Sequence, residues 1–146
     1  MSGPGRVVRG SLWVSIGAAA ILLAGCASMS SSGGTNFSLG GSQEIPPVTT
    51  GATGTGTFTV GADRSISGGV MTNGLKGTAA HIHLAAMGQN GPVIVPLTKT
   101  SDGVWSVPAG VTVTVAQYEA FKGGNLYVNV HSDPNKDGEI RGQLRP

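Results

Sequence analysis

From residue 54 onward the chain alternates. Gly54-Thr55-Gly56-Thr57-Phe58-Thr59-Val60 sets small or apolar residues at even positions and hydroxyl residues at odd ones, the period of a strand with one buried face. Residues 65–72 continue the pattern across Ala62-Asp63-Arg64, which predicts a hairpin. Residues 78–84, 93–97, 104–107, 126–131 and 139–144 are further short β-forming runs, separated by clusters of Gly, Pro, Asn and Asp. Such a series predicts an all-β, antiparallel, Greek-key-like sandwich or barrel. One stretch departs from it. Thr114-Val115-Ala116-Gln117 is a capping box, and the residues that follow end at Gly123-Gly124, predicting one short helix near 115–122. The 25 glycines follow no fixed repeat, so they suit tight turns and close sheet packing.

The first 36 residues lack that alternation. Arg6 and Arg9 precede an apolar run over residues 12–23, and Leu23-Ala24-Gly25-Cys26 then places the only cysteine directly after two small residues. The run is too short to span a bilayer comfortably. It resembles a bacterial lipoprotein signal, which implies that residues 1–25 are removed and that Cys26 is the lipidation site, its thiol taking a diacylglyceryl group and its new amino terminus an acyl chain such as palmitate. Ala27-Ser28-Met29-Ser30-Ser31-Ser32-Gly33-Gly34-Thr35-Asn36 has almost no large apolar group, so residues 26–36 read as a lipidated cysteine and flexible tether. Residues 37–146 suffice for one domain with one core. They contain no cysteine, so packing rather than a disulfide must hold them.

Removing residues 1–25 takes Arg6 and Arg9 from the nine basic residues and leaves seven, equal to the seven acids. A near-neutral chain with no basic run offers no footprint for nucleic acid, and none is expected as a partner. The expected partners are the membrane, through the lipid anchor, and an extracytoplasmic protein or envelope ligand. Ala27 rather than Asp follows the cysteine. By resemblance to sorted lipoproteins, that places the domain at the outer membrane of a diderm, or on the cell surface of a monoderm.

Three groups of residues bear on chemistry. In His81-Ile82-His83-Leu84 strand geometry sends both imidazoles to one face; in Leu126-Tyr127-Val128-Asn129-Val130-His131 it gathers Tyr127, Asn129 and His131. If the two strands are neighbours, all three histidines of the chain converge. His81, His83 and His131 with an open fourth position suit zinc or copper; the competing reading has them hydrogen-bonding to backbone, Asp133 or Glu139 at a sheet end. Asp133-Pro134-Asn135-Lys136-Asp137-Gly138-Glu139 opens like a calcium loop through Asp133, Asn135 and Asp137. Leu144 stands at its twelfth position, where a carboxylate is needed, and a polar turn explains the same letters. No nucleophile with an adjacent base and no paired carboxylates stand out, so the chain is not expected to be an enzyme.

The motifs also carry a resemblance. Ser38-Leu39-Gly40-Gly41-Ser42-Gln43-Glu44-Ile45-Pro46-Pro47-Val48-Thr49-Thr50, Ala79-Ala80-His81-Ile82-His83, Asn90-Gly91-Pro92-Val93, Leu126-Tyr127-Val128-Asn129-Val130-His131 and Gly138-Glu139-Ile140-Arg141-Gly142-Gln143-Leu144 resemble, in order, the CHRD domain, the module named from chordin. The resemblance spans residues 37–144 and implies an all-β extracytoplasmic module. A weaker likeness links the H-x-H strand to copper–zinc superoxide dismutases, without their further histidines or disulfide. Glu44, Glu139 and Arg141 are the charges within these motifs, and Arg141 is expected to form a structural ion pair with Glu44 or Glu139.

Overall fold

The computed structural model describes residues 1–3 and 34–146. The signal segment, Cys26 and the tether up to residue 33 lie outside the described residues. The folded domain lies within the unit Ser31–Pro146.

Among the described residues nine strands form one sheet: β1 (Thr35–Gly40), β2 (Thr53–Val60), β3 (Ile66–Asn73), β4 (Gly77–Leu84), β5 (Val93–Pro96), β6 (Thr98–Ser101), β7 (Val104–Ser106), β8 (Leu126–Ser132) and β9 (Ile140–Leu144). Their order is β5-β4-β8-β9-β1-β2-β3-β7-β6, and every neighbouring pair is antiparallel. The expected hairpin is β2–β3, in register from Thr53↔Asn73 to Val60↔Ile66. The domain begins earlier than its composition suggests. Thr35 and Asn36, read above as tether, lie opposite Phe58 and Thr57, because backbone pairing to β2 needs no apolar side chain.

The two edges of the sheet, β5 and β6, are consecutive in the chain and separated only by Leu97. That single residue joins the edges, and its N–H donates to Ala80 O at 2.9 Å. The sheet therefore curls into a near-closed barrel. Side chains from alternate positions fill it, among them Phe58, Ile82, Val128, Val130, Ile140 and Leu144, each with no exposed surface. Trp105 packs over Gly77 from across the barrel, consistent with the closure.

Helix α1 (Val115–Lys122) forms where the capping box places it. The Thr114 side chain accepts from Gln117 N, and the Gln117 side chain accepts from Thr114 N at 2.8 Å. Its buried residue, Phe121, joins the core. Among the described residues no helix is long and apolar enough to cross a membrane.

Candidate metal centre

The register of the central strands decides what the polar residues can do. His81 lies opposite Asn129, His83 opposite Tyr127 and Ala79 opposite His131; on the far side of β8, Asn129 faces Arg141 and Tyr127 faces Gln143. Directly paired residues share a face. One face of β4-β8-β9 thus carries Ile82, Val128 and Ile140 into the core. The other carries His81, His83, His131, Tyr127, Asn129, Arg141 and Gln143 to the outside of the barrel.

Much of that outer face is covered. Arg141 is 2% exposed, Asn129 3% and His83 8%. Two connections cover it, the one that follows β1 and the one between β4 and β5. Arg141 donates to Gln89 O at 2.8 Å and to Asn90 Oδ1 at 3.1 Å; Asn90 Nδ2 donates in turn to Ile45 O at 2.9 Å. Gln143 holds Ala85 O at 3.1 Å and Gly124 O at 2.8 Å. Burial of polar groups is tolerated because neighbouring backbone satisfies most of them.

Within this cover the three histidines meet. Their ligand atoms all lie within 4.8 Å of one another. His83 Nδ1 is 2.9 Å from Gly91 O, and His131 Nδ1 is 2.8 Å from Lys136 O. A carbonyl only accepts, so in the neutral rings both Nδ1 atoms carry the proton and both Nε2 atoms present lone pairs. His131 Nε2 takes His81 Nδ1 at 3.0 Å. His83 Nε2 is buried and has no hydrogen-bond partner. The His83 ring is fixed by stacking on Tyr127, with centroids 4.7 Å apart and planes 7° from parallel, and the Arg141 guanidinium sits 3.4 Å from the centre of that tyrosine ring.

Burial, with repulsion from His131 and His83, holds His81 below the ordinary histidine pKa. Burial also lowers His83, against the opposing effects of the Gly91 carbonyl and the neighbouring Asn129 side chain. Both rings are therefore neutral near pH 7, the form that ligates a metal without first losing a proton.

The expected ion pair is not made. Among the described residues neither Glu44 nor Glu139 has a carboxylate oxygen within 4.0 Å of the Arg141 guanidinium. Arg141 is taken by the loop carbonyl and amide above. Glu139 is instead held by Thr50 Oγ1 at 2.7 Å and by Ser132 Oγ. Burial alone would raise its pKa, and the bonds from Ser132, Thr50 and Asn135 bring it below the usual value.

At the candidate calcium turn Asp133 and Asp137 are exposed, and among the described residues they join no cluster of three His, Cys, Asp or Glu side chains. Asn135 O accepts from Ser132 N and Gly138 N, each at 3.2 Å, closing a turn between β8 and β9, and Leu144 at the twelfth position is buried in the core.

The family model for the CHRD domain matches residues 35–144. The chain belongs to the CHRD-domain family. The match starts at the first residue of β1 and ends at the last of β9, so this CHRD domain is the whole barrel. No curated protein and no solved structure matches the chain.

Glu44 gives this CHRD domain a testable pH response. Burial raises its carboxyl from 4.5 to about 7, against the lowering effects of Arg141 and Asn129. A carboxyl raised in the folded state stabilises the fold below pH 4.5 and loses that contribution as pH rises through about 7. The lowered histidines act oppositely: their contribution is present above 6.5 and lost as pH falls. Glu44→Gln separates the two, since the histidines are common to both proteins. Discounted for nearby solvent, the difference in unfolding free energy should grow from near zero below pH 4.5 to about 2 kcal/mol in favour of the variant above pH 7. Urea unfolding across that range measures it, and a difference independent of pH contradicts it.

Proposed function

We propose that this CHRD domain is a metal-binding module of the cell envelope, holding Zn²⁺ or Cu²⁺ through His81, His83 and His131. The observation that carries the reading is the buried, unpartnered Nε2 of His83, facing a space that two further imidazoles share. A buried lone pair without a donor is costly, and a cation removes the cost. The donor chemistry also fits: three neutral imidazoles suit Zn²⁺ and Cu²⁺, and Gly91 O and Lys136 O fix two of the rings as outer carbonyls do around bound metals. The half-buried His81 and His131 leave the site reachable from one side, so an ion can enter it from solvent.

Titration of the full-length chain, purified in detergent without a histidine tag, tests the reading. Zn²⁺ or Cu²⁺ should bind one to one and raise stability by RT ln(1 + [L]/Kd), about 2.7 kcal/mol at a hundredfold excess over Kd. An equal response to Ca²⁺, or none to any of the three, contradicts it.

The anchoring part rests on the run that ends at Leu23-Ala24-Gly25-Cys26. Two or three acyl chains at Cys26, each worth roughly 0.8 kcal/mol per buried CH₂, give stable attachment where one chain gives marginal binding. Cys26→Ala should accumulate as a full-length, non-acylated precursor by mass spectrometry. A mature, acylated product from that variant contradicts the anchor.

A further inference from the structure

We infer that the metal site has a fourth protein donor, the side-chain oxygen of Asn129, backed by Glu44, so that the centre is three imidazoles and one amide oxygen. The inference rests on the three-histidine reading and names a ligand that reading leaves open. Asn129 stands at the middle of the group: opposite His81 across the β4–β8 ladder, two residues before His131 on the same strand and diagonal to His83. Its side chain is fixed. Nδ2 donates to Asp137 O at 3.3 Å and is turned toward the Glu44 carboxyl. Oδ1 therefore points the other way, beside His83. Asn129 is 3% exposed, and Oδ1 has no hydrogen-bond partner.

Two acceptor atoms, Asn129 Oδ1 and His83 Nε2, are thus buried side by side with nothing between them to donate. A water or a proton on His83 could serve one or both, but a cation satisfies both at once and uses the two imidazoles already at hand. The outer shell follows the logic seen behind ligating histidines, where a carboxylate accepts from the far N–H and raises the basicity of the ligating atom. Here Glu44 lies beside Asn129 Nδ2, and Oδ1 would be the atom offered to a bound ion. Gly138 makes room for that contact: its φ is 132°, and a Cβ there would collide with Glu44 Oε1 and Asn129 Nδ2. An amide oxygen with three imidazoles leaves Zn²⁺ and Cu²⁺ as suitable ions and fills a tetrahedral set.

The test uses Co²⁺ as a paramagnetic stand-in for Zn²⁺ in the full-length chain in detergent. Coordination through Oδ1 should send the two Nδ2 protons of Asn129 outside the diamagnetic proton range, as an exchangeable pair beside the imidazole N–H signals. The pair should vanish in Asn129→Asp, which keeps an oxygen donor and still binds Co²⁺. Asn129→Ala should weaken Zn²⁺ by at least about tenfold while keeping one-to-one stoichiometry. Should that variant fail to fold, the wild-type spectrum and Asn129→Asp decide the matter alone. Imidazole signals without the amide pair, or unchanged Zn²⁺ affinity in folded Asn129→Ala, overturn the fourth donor and leave the three-histidine site standing. Absence of Co²⁺ and Zn²⁺ binding by the wild type overturns both.

Discussion

Arg141→Ala lowers the stability of the domain by about 3–5 kcal/mol, the largest loss expected from any single polar substitution in it. The residue is a cation with almost no exposed surface, lying on the Tyr127 ring and joining β9 to the loop before β5 through Gln89 O and Asn90 Oδ1. Truncation strands both loop acceptors and empties the space above the tyrosine. The damage reaches the histidines, because Gly91, whose carbonyl orients His83, belongs to the same loop. Metal affinity should therefore fall by about tenfold even though Arg141 is no ligand. Lysine cannot restore the arrangement, since one ammonium reproduces neither the planar fork nor the stacking. Equilibrium unfolding, with hydrogen exchange over residues 85–92, reads the outcome. A loss below about 1 kcal/mol would show that the guanidinium is not what holds the cover down.

His81→Ala has the opposite profile, a large effect on metal and a small one on the fold. His81 is half-buried, and its one side-chain hydrogen bond is to His131. Metal-free stability near pH 7 should stay within about 0.5 kcal/mol of the wild type. Resistance to acid should improve slightly, because a ring held below its ordinary pKa is gone. Zn²⁺ affinity should fall on the order of a hundredfold or more, the share of one ligand in a site worth many kcal/mol. His83→Ala gives the contrast: it loses metal and also costs stability, since the Tyr127 stacking and the Gly91 bond go with the ring. Calorimetric titration beside thermal unfolding separates the two variants. Equal metal affinity in His81→Ala and wild type contradicts the site.

The strands that line the barrel were legible because one face of each is buried. Residues 54–60 and 65–72 alternate clearly enough to give the hairpin, and the capping box at Thr114 marks the helix within a residue. The same alternation puts His81 and His83 on one face of β4 and His131 on one face of β8, and the pairing of the two strands, which alternation does not give, brings the three together. β6 was missed for a physical reason. Thr98–Ser101 is exposed at every position and exists through backbone pairing to β7, which leaves no pattern in the side chains.

The failure at Arg141 has a different cause. Opposite charges in neighbouring motifs suggest a salt bridge, yet the groups that reach the guanidinium are a loop carbonyl and a neutral amide on Gln89 and Asn90. Neither has a sequence signature, because any residue offers a carbonyl. For the same reason the burial of Asn129 was invisible. Alternation assigns it to the outer face, and only the folded loops show that this face is covered.

X-ray absorption at the zinc edge of the zinc-loaded full-length chain tests the central claim most directly. The account predicts a first shell of nitrogen and oxygen at about 2.0–2.1 Å, with outer-shell scattering from three imidazoles. A sulfur shell, or oxygen neighbours without imidazole scattering, would contradict it.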